Sequence, residues 1–189
     1  MEYNGIIDGG VKMDALRKEE IYTIDDIYAL PDGERAELID GKIYYMAPPG
    51  WKHQRISSYL HNQIYNYINS NNGKCEVLAA PFAVFLSEDD INYLEPDISV
   101  ICDISKLDEK GCHGAPDWVI EIVSPSSRPM DYYKKLFKYR TAKVREYWVV
   151  DPDRKIVTVY NFEKDIMEEY SFTEEVPVGI YEEFTIRIE

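Results

Sequence analysis

No apolar stretch of about 18 residues occurs in this sequence, so no membrane-crossing helix is expected. The opening residues, MEYNGIIDGGVKMDALRKEE, lack the apolar core of a secretory signal. Cysteine is scarce. Cys75, Cys102 and Cys112 are odd in number and show no CxxC spacing, which argues against a disulfide framework and against a zinc knuckle. Cys112 and His113 are adjacent but do not have the spacing of a metal site. Internal repeats and low-complexity linkers are also missing. Positive charge is in short supply: 21 Lys and Arg stand against 35 Asp and Glu, a net charge of −14. That balance argues against avid nonspecific binding of nucleic acid by the chain as a whole. The expectation is a soluble, cytoplasmic protein.

What remains is ample for one core. The chain has 189 residues, 45% hydrophobic and 30% charged, which suits a single globular domain over 21–189 behind a lead-in at 1–20. Tyr22 to Leu30 reads as a short helix, with Thr23 as N-cap and Asp26 completing a capping box. Ala36 to Met46 reads as a hairpin around Asp40-Gly41. His53 to Ile68 is the clearest helix, with Ile56, Tyr59, Leu60, Ile64, Tyr67 and Ile68 in one apolar stripe. Glu76 to Leu86 is a strand, bent near Pro81, and Leu94 to Cys102 is the next. Asp103 to Pro116 is irregular. Trp118 to Val123 is almost wholly apolar, as in a strand covered on both faces. A helix over Asp131 to Thr141 and a strand over Glu146 to Val150 follow, which is the pattern of a right-handed crossover between parallel strands. Ile156 to Phe162 is its antiparallel partner. The fold class is α/β with a mixed sheet.

Two acids sit where a buried strand should not carry them. Side chains alternate along a strand, so Asp97, Ser99 and Ile101 share a face, as do Val119, Glu121 and Val123. Glu121 in the middle of VIEIV costs several kcal/mol of desolvation unless it is paired or bound to metal. A buried ion pair with Lys or Arg and a metal site are both open at this point. The scarce positive charge is concentrated directly after this strand. Arg128 to Arg145 holds seven basic residues and one acid, Asp131, which leaves −20 on the rest of the chain. Either a solvated helix face or a phosphate-facing surface accounts for it. At about 100° per residue, Tyr132, Tyr133, Leu136, Phe137 and Tyr139 form the apolar arc of that helix. Lys135 lies on the border of the arc and can reach inward, whereas Lys134 and Lys138 lie outside it.

Glu95-Pro96-Asp97, then Glu121 with Val123 two residues on, resembles the PD-(D/E)XK nuclease superfamily. ELIDG, EPDISV, VIEIVSPSS, the Lys135 and Tyr139 pair and EYWVVDP resemble its Uma-type restriction endonuclease family, over about Tyr22 to the C-terminus. The superfamily's usual lysine position is Val123 here, and Lys135 on the next helix takes its place. Lys143-Val144-Arg145 stands where the family usually shows Gly-Val-Pro, at a helix end.

The resemblance implies a restriction-endonuclease-like mixed β-sheet core flanked by helices. It implies Asp97, Glu121 and Glu37 as ligands of Mg²⁺, with Mn²⁺ as a substitute, and Lys135 as the charge that steadies water or phosphate. His53 matches a histidine at the start of the long helix; packing at the helix end explains it equally well. Lys134 and Lys138 are candidate substrate contacts, and Ser124 and Ser126 either cap the next segment or touch substrate. The implied activity is metal-dependent endonucleolytic hydrolysis of DNA by a homodimer. The competing reading is a noncatalytic nucleic-acid-binding or assembly module that keeps the nuclease fold.

Overall fold

The computed structural model describes residues 20–125 and 127–189. Residues 1–19 of the lead-in and Ser126 lie outside the described residues. Thirteen strands occur among the described residues: β1 (Ala36–Ile39), β2 (Lys42–Tyr45), β3 (Glu76–Ala79), β4 (Val84–Phe85), β5 (Ile98–Ile101), β6 (Leu107–Asp108), β7 (Gly111–His113), β8 (Trp118–Ile122), β9 (Glu146–Asp151), β10 (Ile156–Asn161), β11 (Ile166–Ser171), β12 (Val176–Pro177) and β13 (Thr185–Ile186). The helices are α1 (Ile24–Tyr28), α2 (Trp51–Ser70) and α3 (Leu136–Thr141), the last continuing from a π-helical turn over Met130–Lys135.

Six strands form the central sheet in the order β11-β10-β9-β8-β5-β3. Within this sheet only β8 and β9 pair in parallel; its other pairs are antiparallel. The expected mixed α/β sheet flanked by helices is therefore present. Every residue of β8 and of β9 is buried, because both faces of the sheet are covered. On one face, Leu60, Ile64 and Ile68 of α2 pack on Ile98, Val100, Trp118, Ile120, Trp148 and Val150, joined by Phe172, Val176 and Ile186. On the other, Val119, Val123, Tyr147 and Val149 meet Tyr139, Val144, Leu94 and Ile39.

Local signals explain several junctions. Asp26 accepts the Thr23 backbone N–H at 2.7 Å, which starts α1. Asp40 and Gly41 both adopt positive φ, 51° and 71°, and close the β1–β2 hairpin. Ser127 N–H bonds the Ser124 hydroxyl at 3.2 Å, so Ser124 caps the turn before the π-helical segment.

Three expectations fail locally. The Glu76 to Leu86 strand is divided between two sheets, β3 and β4, across a cis Ala80–Pro81 bond. The irregular stretch 103–116 contains β6, β7 and a 3-10 turn over Ile104–Lys106. Cys75 and Cys102 form a disulfide, contrary to the cysteine count. They flank the register Glu76↔Ile101 of paired strands β3 and β5, which brings residues 27 apart in sequence face to face. Among the described residues no helix is long and apolar enough to cross a membrane.

Candidate active site

Strand register brings the two acids together. Ile98 pairs with Ile120 in the antiparallel β5–β8 ladder, so one residue further Asp97 lies across from Glu121. Asp97 Oδ2 accepts the Ile122 backbone N–H at 2.7 Å, which fixes the carboxylate at the end of the ladder. Glu121 faces the helix that follows. Its Oε1 accepts from Tyr139 Oη at 2.8 Å and from Lys135 Nζ at 2.9 Å. Lys135 Nζ also donates to Glu37 Oε1 on β1 at 2.8 Å and lies 3.7 Å from Asp131 Oδ1. Glu37 Oε1 additionally accepts the Glu95 backbone N–H at 3.0 Å. Arg35 and Tyr93 then hold the Glu95 side chain.

The buried stripe of the helix is therefore Asp131, Lys135 and Tyr139, with Lys135 only 5% exposed. This corrects the apolar arc expected there: Tyr133 and Phe137 are exposed. The arc was spaced for an α-helix, and the segment Met130–Lys135 is π-helical, with a different angular advance. The inward reach of Lys135 nevertheless holds. Asp131 was missed as a partner; its position one turn before Lys135 was the only local signal.

The cluster is electrostatically lopsided. Three buried carboxylates, Glu37, Glu121 and Asp131, surround one buried ammonium. Burial pushes the Glu121 carboxyl well above its usual pKa, against the pull of Lys135 and with Asp131, Asp97 and Glu37 adding to the rise. Burial likewise raises Asp131 to about 6. Burial works against the charge on Lys135, but Glu121, Glu37 and Asp131 outweigh it and hold the ammonium well above its ordinary pKa. Lys135 is thus a fixed cation, and the surplus negative charge is met in part by protons.

The mouth of the site is at Asp97. Its Oδ2 lies 3.1 Å from His53 Nε2 at the start of α2, and both side chains are partly exposed. Burial alone would lower the His53 pKa, but bonding to Asp97 raises it above its ordinary value. A polar groove of about 250 Å³ opens here, lined by Asp97, Ala79, Ala80 and by Gln54, Ser57, Ser58, His61 and Asn62 of α2.

With this arrangement in place, the comparisons with known proteins are decisive for the family. The model of Uma2, described as "Putative restriction endonuclease", matches residues 24–188. The chain belongs to the Uma2 family. A crystal structure from Anabaena variabilis, described as "a putative nuclease belonging to DUF820", matches with a TM-score of 0.71 at 26% identity, covering 88% of this chain and 94% of that one. An uncharacterized protein of Synechocystis sp. is 27% identical over 133 residues, 70% of this chain and 68% of its own length. The fold is therefore restriction-endonuclease-like, and family and neighbour support a nuclease function.

Within this Uma2 chain, Glu37, Glu121 and Lys135 meet, and Asp97 stands beside them bonded to His53. Glu37, Asp97 and Glu121 were expected within metal-sharing distance of one another. Instead, no group of three or more His, Cys, Asp or Glu among the described residues is placed to hold a metal ion, because the Lys135 ammonium serves as counterion to two of the acids. The buried ion pair that the sequence left open for Glu121 is thus realised. The basic segment is also less free than its count suggests. Arg128 pairs with Asp151, Lys138 with Asp40, Arg140 with Asp165, and Arg145 with Asp117 and Glu163. Lys134 lies over the Tyr44 ring, 4.7 Å from its centroid.

Proposed function

We propose that this chain is a divalent-metal-dependent endonuclease that hydrolyses DNA phosphodiester bonds at Asp97, Glu121 and Lys135. The observation that supports this reading most is the charge surplus: three buried carboxylates around one ammonium, with a fourth, Asp97, directly across the ladder. Such a surplus is costly, and a divalent cation would relieve it. The donor chemistry fits Mg²⁺ or Mn²⁺. Hydrogen bonds among the described residues fall on one oxygen of each acid, Oδ2 of Asp97, Oε1 of Glu121 and Oε1 of Glu37, so each has a second oxygen for a hard cation or its water.

Asp97 and Glu121 would hold the ion, with Glu37 taking its water or a second ion. When bound, the ion would lower the pKa of a water and offset phosphate charge. The remaining work falls to the chain. Lys135, kept charged by its carboxylates, places a fixed positive charge beside the acids, where negative charge develops on the phosphate. Tyr139 and the Glu95 N–H fix the Glu121 and Glu37 carboxylates, and His53 and the Ile122 N–H fix Asp97. The polar groove along α2 gives a phosphodiester a way to Asp97.

Supercoiled plasmid incubated with the protein in Mg²⁺ or Mn²⁺, against EDTA, tests the reading. Cleavage requires the metal and falls by about two orders of magnitude in Glu121→Gln and Asp97→Asn, the scale of losing one preorganised group. Nicking that persists in EDTA, or at full rate in Glu121→Gln, would contradict it. DNA binding with no cleavage under any metal would instead favour a noncatalytic module, a reading that draws on the near-complete burial of Glu121.

A further inference from the structure

The helix that carries Lys135 inward turns a second, unexplained surface outward. Tyr133 is 74% exposed and Phe137 is 68% exposed, one turn apart. Each is followed directly by a lysine, Lys134 and Lys138. A groove of about 400 Å³ runs between this face and the β1–β2 hairpin, lined by Tyr133, Lys134, Phe137 and Lys138 on one side and Ile39, Asp40, Lys42 and Tyr44 on the other. Tyr139 and Tyr147, on the inner side, are fully buried, so Tyr133 and Phe137 form a paired aromatic face that the core does not use. Lys134 and Lys138 face a single aspartate, Asp40, across this groove, a local cationic balance on a chain of charge −14.

We propose that this groove binds a nucleic-acid strand with unpaired bases, stacking bases on Tyr133 and Phe137 while Lys134 and Lys138 meet the phosphates. The proposal rests on the nuclease reading and extends it by naming the substrate feature: unpaired bases, as in a single strand, gap, flap or locally opened stretch of supercoiled DNA, rather than a fully paired duplex. Aromatic faces accept any base, and interleaved cations follow the backbone, which is the chemistry of single-strand recognition. In a duplex the base faces are stacked inside and out of reach. The Lys138–Asp40 pair does not oppose this, because the Asp40 carboxylate is exposed and a phosphate can take its place on Lys138. A two-fold contact between copies would set lysines of one groove against lysines of the other, so the charges favour nucleic acid over self-association. Lys135 projects from the opposite side of the same helix, which ties the groove to the acid cluster through one rigid element.

The test is fluorescence anisotropy in EDTA, where cleavage plays no part, with labelled single-stranded DNA, single-stranded RNA and a blunt DNA duplex of one sequence. Wild type binds a single strand at least about ten-fold more tightly than the duplex. Tyr133→Ala and Phe137→Ala each weaken that binding by about ten-fold, while Phe137→Trp preserves it. Lys134→Met lowers the salt dependence of binding for all three probes. The DNA and RNA arms show which strand is preferred. Both rings are exposed, so unchanged circular dichroism should accompany each variant. Equal affinity for duplex and single strand, or binding unaffected by the double Tyr133→Ala/Phe137→Ala variant, would overturn the proposal. So would a sedimentation equilibrium in which that variant abolishes a dimer and leaves strand binding intact. If strands bind as described but wild type cleaves nothing in Mg²⁺ or Mn²⁺, the nuclease reading fails and the groove stands.

Discussion

Under α2 the central sheet is closed by Leu60, Ile64 and Ile68 against Ile98, Trp118, Ile120 and Trp148. The two indoles there meet edge to face at 4.8 Å. Through the sheet, behind the same strands β8 and β9, the helical segment 130–141 closes the other face with Asp131, Lys135 and Tyr139 set against Glu121 and Glu37. Both faces are equally dry. One is held by apolar contact, which is nondirectional and indifferent to pH. The other depends on a charge balance that is incomplete by design of the sequence, with more acids than cations. The first face is what a sheet needs to be stable. The second destabilises a fold unless something else uses it, which is why the functional reading is placed there.

Substitutions on the two faces should separate these roles. Lys135→Met removes the one cation from three buried carboxylates. At pH 8 this should lower stability by about 3–5 kcal/mol. Near pH 5.5 much of the loss should return, because Glu121 and Asp131, already raised by burial, take up protons instead. Cleavage by the folded fraction should fall about a hundred-fold. Urea denaturation at the two pH values and single-turnover cleavage measure these effects. Ile64→Ala on the apolar face should cost about 2–5 kcal/mol, equally at both pH values, with cleavage per folded molecule unchanged. A Lys135→Met cost that does not vary with pH would erase the distinction.

The apolar face has one acid of its own. Glu146 is fully buried beside Trp148, whose indole N–H bonds its Oε1. Burial raises its carboxyl from 4.5 to about 7, only partly offset by that bond. The folded state therefore keeps a proton that the unfolded chain releases, so stability declines as pH rises from about 4.5 to about 7. The decline attributable to this group is on the order of 3 kcal/mol. Glu146→Gln keeps the acceptor for Trp148 and should remove that part of the slope in thermal melts across this pH range. The smallest effect lies at the end of α3, outside both faces. Lys143 adopts φ of 68°, a left-handed conformation that a Cβ disfavours. Lys143→Gly should stabilise the chain by about 1 kcal/mol with no change in cleavage, by the same melts.

The same contrast explains what the sequence disclosed. Apolar period and turn chemistry are local, so the α2 stripe, the Asp40-Gly41 hairpin, the buried strands β8 and β9 and the inward side of Lys135 were all readable. Glu121 announced itself because a carboxylate amid VIEIV has no apolar explanation. The polar stripe was not readable as a stripe. Its partners are 98 residues away at Glu37 and 14 away at Glu121, and only the assembled sheet joins them. Asp131 looked like an ordinary acid in a basic helix. Tyr133 and Phe137 were assigned inward because a search for an apolar arc presumes that the buried side of a helix is apolar. Cys75 and Cys102 needed the β3–β5 register before their pairing had any meaning.

The account stands on Asp97 and Glu121 holding a divalent ion together. Crystals soaked in Mn²⁺ and measured at the manganese edge put that to the test. The account predicts an anomalous peak between the two carboxylates, about 2.0–2.2 Å from an oxygen of each, the range of small divalent ions on oxygen ligands. No peak at millimolar Mn²⁺, with Lys135 still bonded to both Glu37 and Glu121, would contradict it.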